Sequence, residues 1–306
     1  MPINGWQKVS ADMKRGMRFI LLLCAAMVLF YEVLYQRAER VSAGQSVYLP
    51  VIMYHSVLDS KSKAGKYTVT PAVLEQDLQY LKEHGYTAVL PSEVIAFAQG
   101  KGSLPARPVM LTFDDGYYNN YTYVYPLLEQ YDMRALISVV GSFTQQYSVN
   151  GAPMHNAYSH LSWDLLREML DSGRVEIGNH SYDMHRSETR QGYCRLAGET
   201  DSAYIRTVAE DMAKMQRLCE AELGRSKVQV LTYPYGAYEA LTEQTAKDMG
   251  FAMTLNCYEA CNVLTYGQAE ALHALGRYNR AYGESTETFM ARILPSHTGT
   301  SGNIVQ

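Results

Sequence analysis

The 306-residue sequence has no excess of basic charge: 27 Lys plus Arg stand against 31 Asp plus Glu. Nucleic-acid binding draws on clustered cations, so this balance argues against a broad polyanion-binding surface, and no nucleic-acid partner is expected. Cysteine is scarce, five in all. The close pair Cys257 and Cys261 lacks the spacing of a zinc knuckle, and no second pair follows it. Cys24 lies in an apolar run, which leaves Cys194, Cys219, Cys257 and Cys261 to read as isolated thiols or a local bridge in an oxidising location. No internal repeat is present. What remains, 47% hydrophobic residues and 22 Gly, suits one large α/β domain.

One long apolar run does occur. Lys14, Arg15 and Arg18 precede Phe19 to Tyr31, and Val33, Leu34 and Tyr35 continue past Glu32. Basic charge on one flank predicts a cytoplasmic N-terminus with the remainder exported, and the run from Phe19 to Tyr35 can just span a bilayer. The expected organisation is a cytoplasmic segment over 1–18, a transmembrane signal anchor over 19–35 and a linker over 36–47. The protein is then a single-pass component of the cell membrane with its main domain outside the cytoplasm, or secreted if cleaved near Val41-Ser42-Ala43. A monomer is expected.

From about position 48, apolar runs of strand length alternate with amphipathic helical stretches, which predicts a parallel sheet or barrel with helices outside. Seven strands are expected: Leu49 to His55, Thr87 to Leu90, Val109 to Phe113, Ala135 to Val140, Val175 to Gly178, Val228 to Tyr233 and Ala252 to Asn256. Thr70 and Pro71 open a helix with Leu74, Leu78 and Leu81 on one face and Gly85 at its end. Ser92 and Ser162 read as further caps. Near Asp201 to Leu223, Ile205, Val208, Met212, Met215 and Cys219 recur at three- and four-residue steps, the stripe of a core-facing helix. Residues 295–306, rich in Ser, Thr and Gly, read as a frayed tail.

The chemistry concentrates in two places. Val109-Met110-Leu111 runs into Thr112-Phe113-Asp114-Asp115-Gly116, two carboxylates side by side at a strand end. Such neighbours repel unless water solvates both or a cation and a proton occupy them. Asn179-His180-Ser181-Tyr182-Asp183-Met184-His185 then supplies two imidazoles behind another apolar stretch. Two His and one Asp can hold a divalent metal and leave a position for water. The imidazoles lie five positions apart: a helix would splay them and a strand would send them to opposite faces, so a turn must bring them together. His155, His160 and His273 read as surface or satisfied core histidines. Most of the 25 tyrosines read as ordinary packing, with some able to stack on sugar faces.

These motifs, in this order, resemble the polysaccharide deacetylases with a NodB-homology domain, carbohydrate esterase family four, over about Tyr48 to Leu294. The resemblance implies an α/β fold, a distorted (β/α)7-type barrel over 48–294, here behind an N-terminal anchor helix. It implies Asp114 as catalytic base, with Asp115, His180 and His185 as ligands of one divalent ion, zinc first among Zn²⁺, Co²⁺, Ni²⁺ and Fe²⁺. An ion so bound lowers the pKa of its water toward ~7 and polarises an amide carbonyl. The five-step His spacing is similar to that of the export-linked poly-N-acetylglucosamine deacetylases, where four is usual elsewhere in the family.

Leu231-Thr232-Tyr233-Pro234-Tyr235-Gly236 resembles a third family motif, in which the backbone N–H of Tyr235, on the turn begun by Pro234, is implied to face the developing oxyanion. The residues alone fit a plain strand-ending turn equally well. The family usually carries Arg where Thr232 stands, to orient the catalytic Asp; Arg277 or Arg280 is the available replacement. The general-acid His that the family places near its C-terminal end is absent. His55, after Pro50-Val51-Ile52-Met53-Tyr54, resembles the circularly permuted arrangement in which the last barrel strand comes first. It is implied to be the acid, protonated near neutral pH and ready to serve the departing amine. The implied activity is metal-dependent removal of N-acetyl groups from N-acetylhexosamine residues of an envelope polysaccharide or peptidoglycan, an N-acetylated glycan being the partner. The alternatives are a catalytically silent carbohydrate-binding protein of the same fold and an O-acetyl esterase.

Overall fold

The structure, a computed structural model, describes residues 17–27, 40–41, 45–149, 152–186, 190–224 and 228–295. The chain divides between Val41 and Ser42 into two compact units. In the first, residues 17–27 are helical with their apolar side chains exposed, Phe19 at 66% and Leu22 at 70%. The expected anchor over 19–35 is not supported. Residues 28–35 lie outside the described residues, and among the described residues no helix is long and apolar enough to cross a membrane. The stretch 17–27 rises about 16 Å, roughly half a bilayer core. The expected tail also falls, from 296 onward, outside the described residues.

The second unit is built on parallel strands: β1 Val51–Tyr54, β2 Pro108–Phe113, β3 Ala135–Val139, β4 Val175–Asn179, β5 Val230–Thr232, β6 Met253–Leu255 and β7 Tyr278–Asn279. Their order in the sheet is β6-β5-β4-β3-β2-β1-β7. Leu275, just ahead of β7, bridges Leu255 in β6, so the sheet curls until its two ends meet. Every residue of β2 and β3 is buried, because helices cover one face and the curled interior the other; such strands read as unbroken apolar runs. Parallel strands all present their C-terminal ends on one side, where functional loops gather.

Three expected elements differ. Pro50 lacks an N–H and divides the strand expected from Leu49 to His55. Ser46–Leu49 pairs antiparallel with Asn262–Thr265, and only β1 enters the curled sheet. Thr87 to Leu90 shrinks to Thr87–Ala88, paired with the start of β2; Val89 and Leu90 are buried without being strand. The seventh strand is β7 instead, a two-residue segment with no apolar run to announce it.

Among the helices, Pro71–Glu83 is capped by Thr70, whose Oγ1 accepts from Val73 N–H, and it buries Leu74, Leu78 and Leu81. Ser162 caps Trp163–Asp171. Ser92 caps nothing: the helix Pro91–Ala98 begins one residue earlier, Glu93 Oε2 accepts from Leu90 N–H, and the Ser92 hydroxyl donates to Glu176. The long helix spans Asp201–Leu223 and buries Val208, Met212, Met215 and Cys219, while Ile205 is 37% exposed and Tyr204 takes its place in the core.

Candidate active site

The C-terminal ends of the strands converge on one cavity of about 380 Å³. His55 follows β1, Asp114 and Asp115 follow β2, His180 follows β4, and the turn Pro234–Gly236 follows β5, while Arg277 enters just ahead of β7. The two aspartates part company through backbone geometry. Asp115 adopts φ 72° and Gly116 φ 66°, so the chain reverses and successive side chains diverge. A Cβ on Gly116 would meet Val139 Cγ1 at 2.6 Å, so the residue ending the motif must be glycine.

Asp115 faces the imidazoles. Its Oδ1 lies 3.4 Å from His180 Nε2 and 3.0 Å from His185 Nε2. Burial pushes the Asp115 carboxyl up, but the close His180 and His185 imidazoles outweigh it and the pKa falls well below the usual range. His185 shows the converse: burial lowers it, Asp115 raises it, and the net direction is upward. His180 Nδ1 is 2.8 Å from the Thr232 carbonyl oxygen. A carbonyl can only accept, so Nδ1 carries the proton and Nε2 keeps its lone pair toward Asp115.

These three side chains fit a divalent cation. Their candidate ligand atoms all lie within 4.8 Å of one another, and Asp115 Oδ1 is buried without a hydrogen bond. An unsatisfied buried carboxylate oxygen beside an imidazole lone pair is costly without a positive partner. The five-step His spacing is reconciled by a turn in which Ser181 takes φ 74° and donates its N–H to Asn179 Oδ1 at 2.8 Å.

Asp114 faces a guanidinium. Arg277 Nη1 and Nη2 donate to its two oxygens at 2.8 and 2.7 Å, while Arg277 Nε donates to the Asn256 carbonyl at 2.7 Å. Burial raises the Asp114 carboxyl, yet Arg277, followed by His180 and His55, brings the net shift below the usual value. Arg280, the other replacement expected, lies elsewhere and grips Asp77. Thr232 keeps its hydroxyl on Ser138 at 2.7 Å, deep in the core.

His55 Nε2 is 4.0 Å from Asp114 Oδ2, and its ring lies against Tyr67 at 4.8 Å. The protonation expected for it is corrected. Burial lowers the imidazole pKa despite Asp114 and Asp115, so His55 rests neutral at pH 7. Tyr235 holds a left-handed φ of 59°, is 42% exposed, and lays its ring over His185 at 4.6 Å. Pro234 is buried behind it. Gly236 is required here, since a Cβ would fall 2.1 Å from Cys257 Sγ; Cys257 and Cys261 are both free thiols.

Of the other histidines, His160 bonds the Asp115 carbonyl oxygen and His273 pairs with Glu243, neither joining the ligand set. The cavity wall also holds Lys66, Tyr67 and Tyr117. Only Tyr117 could have been found from the sequence, by its place directly behind Gly116.

Residues 101–254 match the family described as polysaccharide deacetylase. The chain is 27% identical over 220 residues to the poly-β-1,6-N-acetyl-D-glucosamine N-deacetylase of Escherichia coli (strain K12), a match covering 66% of this chain and 33% of that protein. It therefore spans about a third of the length of that relative. IcaB from Ammonifex degensii superposes with a TM-score of 0.63 at 27% identity, over 79% of this chain and 95% of that one. A de-N-acetylase from Aggregatibacter actinomycetemcomitans shares the fold with a TM-score of 0.67 at 23% identity, over 81% of this chain and 100% of that one. With Asp114, Asp115, His180 and His185 gathered at the strand ends of this curled parallel sheet, the chain belongs to the polysaccharide deacetylase family.

Proposed function

We propose that the protein is a metal-dependent hydrolase that removes N-acetyl groups from N-acetylhexosamine residues of an envelope polysaccharide or peptidoglycan. The observation that carries the reading is the approach of Asp115, His180 and His185 to within 4.8 Å of one another, beside an Asp114 held ready by Arg277. The name of the Escherichia coli relative supports an acetamide over an ester as the bond cleaved. Asp115, His180 and His185 would hold the ion, zinc first; when bound it polarises the acetamide carbonyl and acidifies water.

The remaining work falls to this chain's own residues. Arg277 fixes both oxygens of Asp114 and keeps it ionised, so the carboxylate can take a proton from the attacking water. Oxygen adds to the carbonyl carbon, the C–N bond breaks, and the departing nitrogen needs a proton. His55 rests neutral and must be charged first. Its Nε2 is 4.0 Å from Asp114 Oδ2, so the proton that Asp114 takes from water can pass to the imidazole. We read the route as water to Asp114, to His55, to the amine, releasing acetate; the gap closes through one water or on substrate binding. Tyr235, at the rim over His185, is placed to meet the sugar or the oxyanion. Arg277 also removes the reason for a silent reading, because the Thr232 position no longer leaves the base without a guanidinium.

The test is acetate release from chitooligosaccharides and peptidoglycan by metal-loaded protein, beside acetylated xylan. Absence of release across several metals and glycans overturns the reading, and preference for xylan turns it to an esterase. The one-sided charge ahead of the apolar run from Phe19 supports placement outside the cytoplasm, checked by protease accessibility in intact cells.

A further inference from the structure

We infer that Asp211 is the positioning residue that gives a five-step histidine pair its metal-binding geometry; this rests on reading Asp115, His180 and His185 as a metal site. The turn from His180 to Met184 belongs to no helix or strand ladder, so each backbone N–H must find a partner elsewhere. His180 N–H donates to the Val139 carbonyl at 3.0 Å, Ser181 to Asn179 Oδ1 at 2.8 Å and Met184 to Ser181 Oγ at 3.1 Å. The two at the apex, Tyr182 and Asp183, both donate to one distant side chain, Asp211 Oδ1 at 2.9 Å and Oδ2 at 2.8 Å. The carbonyls are taken as well. Ser181 accepts from Gly141 N–H at 3.0 Å and Tyr182 from Ser142 N–H at 2.8 Å.

Asp211 is itself held. It sits on the helix Asp201–Leu223 and accepts from Tyr193 OH at 3.1 Å. Lys214 Nζ, one turn later, lies 3.6 Å from the Tyr182 ring centroid. Asn179 Nδ2 donates to the Met212 carbonyl at 3.3 Å, so the strand that carries His180 is tied to the same helix. The long helix thus serves as a rail: strand and turn apex are both fastened to it, and His185 is delivered 3.0 Å from Asp115 Oδ1. An amide at position 211 would turn one N–H donor toward another. A methyl would leave both apex N–H groups unpaired.

Zinc titrated calorimetrically into the metal-stripped full chain tests the assignment, with circular dichroism checking that each variant is folded. Asp211→Ala and Asp211→Asn are expected to weaken zinc affinity about 10- to 100-fold, the usual cost of removing a group that orients a ligand. Their kcat should recover at saturating zinc. Tyr193→Phe, which removes a support of Asp211 alone, should lose less than about tenfold on that scale. Asp183→Ala keeps its N–H and should match wild type. If Asp211→Ala does not fold, Asp211→Asn and Tyr193→Phe carry the test. A folded Asp211→Asn that binds zinc as tightly as wild type overturns the inference and leaves the metal site standing. A wild-type protein that binds no divalent ion overturns both.

Discussion

Two buried arginine–aspartate pairs stand three residues apart on one segment and do different things. Arg277 holds Asp114 at 2.8 and 2.7 Å; Arg280 holds Asp77 at 2.8 and 3.1 Å. All four side chains are almost fully buried. The difference lies in what else each carboxylate meets. Asp77 also accepts from Tyr54 OH at 2.9 Å and Thr286 Oγ1 at 2.6 Å, so it is filled by donors. Asp114 accepts, among the described residues, only from Arg277, and its Oδ2 looks across the cavity wall to His55. Burial dominates at Asp77 and its pKa is raised, whereas at Asp114 its surroundings, the Arg277 guanidinium foremost, prevail over burial and it is lowered. A saturated carboxylate knits helix to strand; one with a lone pair to spare, held ionised, can take a proton.

That contrast can be broken most forcefully at the carboxylates. Asp114→Asn is expected to lower kcat for acetate release by about 10²- to 10⁴-fold with the fold retained. A variant keeping more than a tenth of wild-type turnover would mean that Asp114 is no base.

Next come the arginines. Arg277→Met and Arg280→Met each strand a buried carboxylate and should cost about 3–5 kcal/mol in urea unfolding. Only Arg277→Met should also collapse turnover per folded molecule. Loss of turnover in a folded Arg280→Met protein would erase the distinction between the pairs.

A smaller effect separates them by pH. The depressed Asp114 contributes stability that is fully present above its unfolded value of ~4 and is lost as pH falls through the lower folded value. Arg277→Met should therefore raise the acid-unfolding midpoint of the metal-free protein. Asp77, with a raised pKa, carries the opposite sign: its contribution is present at low pH and declines as pH rises through the folded value. Asp77→Asn should leave the acid limb where it is.

The smallest effect concerns Thr232. Thr232→Val removes the hydroxyl bond to Ser138 and should cost about 1 kcal/mol, seen as a shift in the urea midpoint. Zinc affinity should not change, because His180 is oriented by the Thr232 backbone carbonyl, not by its side chain.

Much of the site was legible because its residues are announced locally. Asp114, Asp115 and Gly116 end an apolar strand, and His180 ends another, so strand and ligand appear in one window of sequence. The anchoring partners are not local. Arg277 and Arg280 look alike in sequence; which one reaches Asp114 depends on the register of β7, a two-residue strand. Asp211 sits on a helix face whose apolar stripe says nothing of it. The His55 shift runs against the expectation because burial, invisible along the chain, sets it. Val89 and Leu90 misled in the other direction, since an apolar run reports burial and strand alike.

By itself the sequence determined the alternation of strands and helices, the carboxylate pair and the two imidazoles, since apolar period, turn residues and side-chain chemistry are properties of neighbours. Only the tertiary structure decided which guanidinium meets Asp114, how a five-residue interval closes on Asp115, and which way His55 titrates. Those depend on dielectric and distance between groups 28 to 163 residues apart, and such quantities exist only once the sheet has curled and brought its ends together.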